Sequence, residues 1–133
     1  MTSNQHVLRW LEEMKALVKP MNVVCIDGSR EQMAELKKQA IASGELIELN
    51  QDLLPGCTLH RTAPNDVARV EHRTFICSRR KEDAGPTNNW EDPQVMYEKL
   101  RKLFNGVMHD RTMYIIPYSM GPIGSPYSKV GIE

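Results

Sequence analysis

Residues 65–71 are the part of the sequence whose residue types best suit the binding of an anion. Within them Arg69 stands between small or apolar neighbours, just ahead of a run that predicts a strand. A guanidinium group in such a place can hold a carboxylate or a phosphate with two parallel hydrogen bonds. The alternative is a local ion pair with Asp66 or Glu71. On spacing alone the local pair is the simpler interpretation, and both stay open.

A second stretch with glycines, residues 121–126, also resembles an anion-binding loop at first sight. Its glycines would let the backbone approach an anion closely, and Lys129 follows it. However, Pro122 and Pro126 lack the N–H groups that a phosphate cradle needs, and the pattern GxxxxGK[ST] of a P-loop is absent from the sequence. We therefore predict a rigid structural turn here.

The histidines and cysteines do not form a recognisable metal or nucleophile pattern. No histidine stands at ligand spacing from a cysteine, an aspartate or another histidine, so no metal site is predicted. Cys25 lies in an apolar run and is expected to behave as a small hydrophobic residue. The sequence has 3 cysteines without a CxxC pair, which argues against a disulfide framework and favours a reducing, cytoplasmic location. We assign no catalytic residue.

Helices and strands alternate along the chain. Apolar residues at three- and four-residue spacing predict helices over residues 4–18, 30–42 and about 92–104. Short β-branched or apolar runs predict strands at residues 22–26, 46–49, 74–77 and 112–116. This order favours an α/β fold, a mixed sheet with packed helices, in a single domain over residues 1–133.

The remaining segments are predicted to be irregular. Residues 78–92 form a polar loop that is long for a compact domain, so we expect it to be functional or mobile. The tail after residue 117 is rich in glycine and proline, and residues 129–133 look like the opening of another strand. In the second helix, Met33, Leu36, Ala40 and Ile41 are expected to face the core.

Composition excludes several classes of function. The 17 Lys+Arg residues balance 17 Asp+Glu residues, so the basic surface typical of nucleic-acid binding is not expected. The N-terminus carries acidic residues and lacks the apolar core of a signal peptide. No apolar run is long enough to span a membrane, so we expect no membrane partner.

Four stretches together resemble the amino-terminal region of GTP-dependent phosphoenolpyruvate carboxykinases, in particular the bacterial members. The most specific stretch reads RTMYIIPYSMGPIGSP, and the similarity runs from about residue 5 to the end of the sequence. The four stretches are Cys25–Ser29, Asn65–Glu71, Lys81–Trp90 and Arg111–Pro126.

The resemblance implies an N-terminal, substrate-side domain of an enzyme of gluconeogenesis. That family converts oxaloacetate and GTP to phosphoenolpyruvate, GDP and carbon dioxide, with Mn²⁺ at the active site and Mg²⁺ on the nucleotide. Arg69 matches the family arginine that contacts the substrate. The family's P-loop, metal ligands and guanine pocket have no counterpart here, so the chain is expected to be an incomplete domain that lacks its C-terminal catalytic domain, binds no cofactor itself and is inactive alone.

Two functions remain open from the sequence. The first is a fragment of this carboxykinase that contributes Arg69 to the binding of oxaloacetate or phosphoenolpyruvate. The alternative is a free-standing, non-catalytic module that binds a small dicarboxylate or phosphoenolpyruvate weakly. A domain without its partner would also expose apolar surface and strand edges, so we expect the isolated chain to self-associate or to be marginally stable.

Overall fold

The computed structural model describes residues 2–66 and 70–133 of the chain. The three α-helices of this part are α1 (Gln5–Val18), α2 (Arg30–Ala42) and α3 (Pro93–Phe104). Its strands are β1 (Asn22–Cys25), β2 (Ile47–Glu48), β3 (Thr58–Leu59), β4 (Phe75–Ile76), β5 (Asn89–Trp90), β6 (Thr112–Ile115), β7 (Pro117–Met120) and β8 (Lys129–Ile132). Two short 3₁₀ helices span Glu71–Arg73 and Lys81–Ala84.

The α/β class is confirmed, and the strands pair two by two within the described residues. The pairs β1–β6 and β4–β5 are parallel, whereas β2–β3 and β7–β8 are antiparallel. The chain divides into two compact units: unit 1 comprises Met1–Cys25 with Arg69–Glu133, and unit 2 comprises Ile26–Ala68. Each unit is described below by itself.

Unit 1 contains the buried residues of the described chain. Leu11 of α1 is 3% exposed, Ala84 of the second 3₁₀ helix is 4% exposed, and Ile115 of β6 is 3% exposed. Asn4 caps the N-terminus of α1, where its side chain accepts hydrogen bonds from two backbone N–H groups of the first turn. Two backbone hydrogen bonds join the end of α1 to the turn after α3, where Gly106 N donates to the Leu17 carbonyl at 2.9 Å.

Unit 2 is built around α2 and the β2–β3 hairpin. Ser29 caps α2 by accepting a hydrogen bond from the N–H of Gln32, as the capping-box spacing predicts. The helix ends at the Ser43 cap, and Gly44 follows with a positive φ of 81°. No buried residue occurs among residues 26–66, and the predicted core residue Met33 is 53% exposed.

The helix predictions are confirmed to within one or two residues, and two segments differ from expectation. The polar loop predicted over residues 78–92 contains a 3₁₀ helix and strand β5, so it is more ordered than the polar composition suggests. The glycine-rich tail forms the β7–β8 hairpin, which includes the strand expected near residue 129. The residues of β5 and of the β7–β8 hairpin have only a weak preference of their own for strands. Pairing of β5 with β4, and of β7 with β8, orders them.

Candidate anion-binding segment

Arg69, the predicted substrate-binding residue, lies outside the described residues together with Val67 and Ala68. Its interactions with a ligand, with Asp66 or with Glu71 therefore stay predictions. The structure does describe the chain that continues from it. The geometry of that segment bears on how the backbone after Arg69 is held.

Residues 70–74 form a tight turn directly after Arg69. The carbonyl of Val70 accepts hydrogen bonds from the backbone N–H of Arg73 at 2.8 Å and from Thr74 Oγ1 at 3.0 Å. The carbonyl of Glu71 accepts one from the N–H of Thr74 at 3.2 Å. These bonds close the 3₁₀ helix Glu71–Arg73 and set the direction in which the chain enters β4.

Asn89 of β5 joins this turn to a distant part of the sequence. Its Nδ2 donates to the carbonyl of Glu71 at 2.8 Å and to the carbonyl of Thr74 at 3.1 Å. A side-chain amide has two N–H donors, and this geometry uses both of them. In the parallel β4–β5 pair, Asn89 stands opposite Phe75. The side chain therefore spans the 3₁₀ helix, from its first residue, Glu71, to Thr74, the residue after its last.

The loop between β4 and β5 is held by further side-chain hydrogen bonds to the backbone. Trp90 Nε1 donates to the carbonyl of Ser78 at 3.0 Å, and Asn88 Nδ2 donates to the carbonyl of Ala84 at 2.7 Å. The side chain of Ala84 is buried, which fixes the second 3₁₀ helix. Sequence reasoning missed these anchors. The bond from Trp90 spans 12 residues, and the spacing of the side chains in this loop does not indicate which carbonyls they reach.

The basic residues of this loop are exposed. Arg80 Nε lies 3.5 Å from Glu82 Oε2, and both side chains are more than 70% exposed. An ion pair of this kind contributes little to stability. On the neighbouring helix α3, Lys99 Nζ lies 5.9 Å from the centre of the Phe75 ring, a cation–π contact between α3 and β4.

The Gly121 motif connects β7 to β8, and its geometry agrees with the predicted structural turn. Ser125 N donates to the Pro122 carbonyl at 3.1 Å, and Ser128 N donates to the Ser125 carbonyl at 3.2 Å. Gly121 has a φ of 107°, and a Cβ atom there would lie 2.9 Å from Ser128 Oγ. A glycine is therefore required for conformation as well as for space.

The histidines and cysteines do not assemble a reactive centre in residues 2–66 and 70–133. In those ranges no group of three or more His, Cys, Asp or Glu side chains could hold a metal ion. None of the cysteines forms a disulfide. No helix of the described chain is both long and apolar enough to cross a membrane.

The turn ahead of α2 lowers the pKa of Asp27. The backbone N–H of Ser29 donates to Asp27 Oδ1 at 2.8 Å, and the Ser29 hydroxyl also donates to this carboxylate. Both bonds favour the charged form, so they lower the pKa of Asp27 below its ordinary value of 3.8. This interaction orders the turn ahead of α2, and it does not indicate acid–base chemistry.

An open groove of about 570 Å³ lies between α1 and α3 in unit 1. Charged side chains of both signs line the groove beside the apolar residues Ala16 and Leu17, and no buried polar side chain occurs in the described chain. The lining residues are Glu13, Ala16, Leu17, Glu98, Arg101, Lys102 and Asn105.

Comparison with known proteins identifies the class of this α/β chain. The family model described as "Phosphoenolpyruvate carboxykinase N-terminal domain" matches residues 9–133, and the chain belongs to that family. Among curated relatives, "Phosphoenolpyruvate carboxykinase [GTP]" of Anaeromyxobacter dehalogenans (strain 2CP-C) is 53% identical over 132 residues, which are 99% of this chain and 22% of the relative.

Relatives of the same name occur in other bacteria. The protein of Corynebacterium jeikeium (strain K411) is 52% identical over 99% of this chain and 22% of its own length. The protein of Chlamydia muridarum (strain MoPn / Nigg) is 52% identical over 93% of this chain and 21% of its own length. The chain thus spans about 22% of the length of these relatives, in their N-terminal part.

Proposed function

We propose that this chain serves as the N-terminal, substrate-side part of a GTP-dependent phosphoenolpyruvate carboxykinase, in which Arg69 binds oxaloacetate or phosphoenolpyruvate. The observation that carries the proposal is the family match over residues 9–133, together with relatives named "Phosphoenolpyruvate carboxykinase [GTP]" at about half identity. The reaction would be the conversion of oxaloacetate and GTP to phosphoenolpyruvate, GDP and carbon dioxide.

The role proposed for Arg69 is electrostatic positioning. Both oxaloacetate and phosphoenolpyruvate carry a carboxylate, and phosphoenolpyruvate adds a phosphate. A guanidinium group holds either anion with a pair of parallel hydrogen bonds, which fixes the orientation of the substrate as well as its place. We assign no proton transfer or nucleophilic attack to a residue of this chain.

In members of the family, GTP, Mn²⁺ and Mg²⁺ would be bound by residues outside the region that these 133 residues match. Among the described side chains, no cluster of three or more His, Cys, Asp or Glu could hold a metal ion. We further propose a cytoplasmic location and a role in gluconeogenesis. The absence of disulfides among the three cysteines is compatible with a reducing compartment.

The proposed site is tested by titrating phosphoenolpyruvate into the 15N-labelled chain and following amide shifts by NMR. One bidentate contact supports only weak binding, so we expect a dissociation constant of about 1 mM or higher, which corresponds to about −4 kcal/mol or weaker. Saturable shifts should be centred on Val70 and its neighbours, and should vanish in Arg69→Ala.

A matched control separates a specific site from general attraction of an anion to positive charge. Arg79→Ala removes an exposed arginine from the same unit, so it changes the net charge by as much as Arg69→Ala does. This variant should bind phosphoenolpyruvate as the parent chain does. Equal weakening by Arg69→Ala and Arg79→Ala would reject the site, as would a folded chain that shows no saturable shifts.

We also propose that the 133-residue chain self-associates through apolar side chains of the β7–β8 hairpin. Ile123 is 94% exposed, Tyr127 is 88% exposed and Val130 is 82% exposed, which places three large apolar side chains in solvent on one hairpin. Sedimentation velocity should show a concentration-dependent rise in mass that weakens in Ile123→Ser/Tyr127→Ser. A parent chain that stays monomeric at high concentration would refute this proposal.

A further inference from the structure

The end of α3 carries the one asparagine–glycine step in the sequence, Asn105–Gly106. Asn105 caps the helix through its backbone N–H, which donates to the Arg101 carbonyl at 3.1 Å. The residue is exposed and lines the open groove between α1 and α3. Gly106 follows with a φ of 75°, the left-handed conformation that glycine supplies after a helix. An accessible side-chain amide thus stands beside a backbone nitrogen whose own residue has no side chain to hinder it.

These two residues contain the groups for an intramolecular reaction. When the Gly106 amide nitrogen gives up its proton to a base from solvent, it can attack Cγ of the Asn105 side chain. The new N–Cγ bond closes a cyclic imide, and the Cγ–Nδ2 bond breaks to release ammonia. Water then opens the imide at either of its two C–N bonds, which leaves aspartate or isoaspartate in place of the asparagine. Reactions of this kind contribute to the thermal lability of asparagine in proteins.

The fold occupies the attacking nitrogen. The N–H of Gly106 donates to the carbonyl of Leu17 at 2.9 Å, and the N–H of Met108 donates to the carbonyl of Val18 at 3.0 Å. Both carbonyls belong to the end of α1, so these two bonds form an α1–α3 junction within unit 1. The Gly106 nitrogen must leave the Leu17 carbonyl before it can lose its proton. Reaction at Asn105 therefore needs the same opening as exchange of the Gly106 amide proton with solvent.

We propose that Asn105 is a site of spontaneous deamidation controlled by the α1–α3 junction, in which the Leu17 carbonyl blocks the Gly106 nitrogen. The modification also acts on the junction. An aspartate at this cap would place negative charge at the C-terminal end of α3, where the helix dipole disfavours it. An isoaspartate would add a methylene group to the main chain just ahead of Gly106, which displaces the nitrogen from its acceptor. A junction that has reacted therefore opens more readily than an intact one.

The experiment compares two rates in the 133-residue chain at the same pH and temperature. Mass spectrometry follows deamidation in the tryptic peptide Leu103–Arg111, in which Asn105 is the only asparagine, and NMR follows exchange of the Gly106 amide proton. The synthetic peptide LFNGVMHDR gives both rates without the fold. We expect the folded chain to slow each reaction at least about tenfold, and the two slowing factors to agree within about fivefold, because one opening controls both.

Variants of the two units change the opening selectively. Leu11→Ala removes a buried side chain of α1 and should speed both reactions by a common factor. Met33→Ala, in α2 of unit 2, should change neither rate by more than about twofold. Asn105→Asp supplies one product directly and should lower the protection of the Gly106 amide about two- to fivefold. Asn105→Gln keeps the side chain neutral and should leave that protection unchanged.

Several results would overturn the inference. One is deamidation of the folded chain at the rate of the free peptide while the Gly106 amide is protected. Another is a Gly106 amide that exchanges as freely in the chain as in the peptide, and a third is a disagreement of more than about fivefold between the two slowing factors. Equal protection of Gly106 in Asn105→Asp and Asn105→Gln would refute the effect of the modification on the junction. None of these measurements involves Arg69, so the inference and the proposed function are tested separately.

Discussion

The two units of the chain obtain their order from different sources. In unit 1, Leu11, Ala84 and Ile115 are almost fully buried, and the parallel β1–β6 pair joins segments that are far apart in sequence. Residues 26–66 of unit 2 contain no buried side chain, and hydrogen bonds from polar side chains order its turns. Burial of apolar surface resists opening more strongly than exposed hydrogen bonds do, so unit 2 should open at a lower free energy.

Leu11→Ala should have the largest effect, because it tests the burial on which unit 1 depends. Removal of a nearly buried leucine side chain should cost about 2–4 kcal/mol of unfolding free energy. The control is Met33→Ala in α2 of unit 2, where a side chain that is 53% exposed should cost no more than about 0.5 kcal/mol. Urea denaturation followed by circular dichroism measures both, and similar losses would remove the contrast between the units.

Gly131→Ala should have the next largest effect, because the β7–β8 pair leaves no room for a side chain there. A Cβ atom on Gly131 would lie 2.5 Å from the ring of Tyr118, its partner across the pair. Displacing the ring should lower the free energy of unfolding by about 1–3 kcal/mol. We expect a value near the lower end of this range, because Tyr118 is 44% exposed and its ring can move outward.

A double variant isolates the cause of that loss. In the Tyr118→Ala background the obstructing ring is gone, so the further change Gly131→Ala should cost much less than it does in the parent. Strictly additive losses in this double-mutant cycle, measured by thermal unfolding, would show that ring crowding is not the reason for the glycine.

Gln51→Ala tests the hydrogen bonds of unit 2 and should have a smaller, local effect. Gln51 Nε2 donates to the carbonyls of Leu49 at 2.6 Å and Cys57 at 3.1 Å, and Gln51 Oε1 accepts from Gly56 N at 2.7 Å. Loss of this partly exposed network should lower the local opening free energy by about 1–2 kcal/mol. Hydrogen exchange should quicken at the amides of Gly56 and Cys57.

Gln39→Ala is the matched control within the same unit. Gln39 Nε2 donates to Glu35 Oε1 at 3.1 Å on the exposed surface of α2, a pair that contributes only about 0.2–0.5 kcal/mol. Two results would contradict the division into a packed unit and a hydrogen-bonded unit. One is the same acceleration of exchange at Gly56 in Gln39→Ala. The other is a loss of global stability in Gln51→Ala as large as that in Leu11→Ala.

The sequence predicted best those elements that local rules determine. The bounds of α2 follow from the Ser29 cap, the apolar spacing and Gly44, all within the element itself. The same rules identify a face of α2 but do not determine how much of it is covered, which is why Met33 was wrongly expected in the core. Coverage depends on what packs against the helix, and periodicity carries no information about that.

The candidate site was predictable only in part, for the same reason. The residue types around Arg69 left an anion ligand and a local ion pair both open, and the family resemblance was what favoured a substrate there. The hydrogen bond from the Asn89 side chain to the carbonyl of Glu71 spans 18 residues. No local preference of an asparagine in a polar loop indicates a partner at that distance, since asparagine favours loops for its bonds to nearby backbone.

Asp27 gives the smallest expected effect and sharpens the description of unit 2. Because its folded pKa lies below the ordinary value of 3.8, its contribution to stability is complete above the unfolded pKa and is lost as the pH falls through the folded pKa. The carboxylate is exposed, so we expect this loss to appear as local loosening ahead of α2 below about pH 4. An NMR titration of the side-chain carboxyl carbon should give a midpoint below 3.8.

Ser29→Ala separates the two donors that lower this pKa. The variant removes the hydroxyl bond but keeps the backbone N–H, which is the larger of the two causes. The titration midpoint of Asp27 should therefore rise only part of the way toward its ordinary value, although the loss of the cap also weakens α2. A complete return to that value in Ser29→Ala would assign the whole effect to the hydroxyl. A midpoint of 3.8 in the parent chain would mean that this carboxylate does not hold the turn ahead of α2.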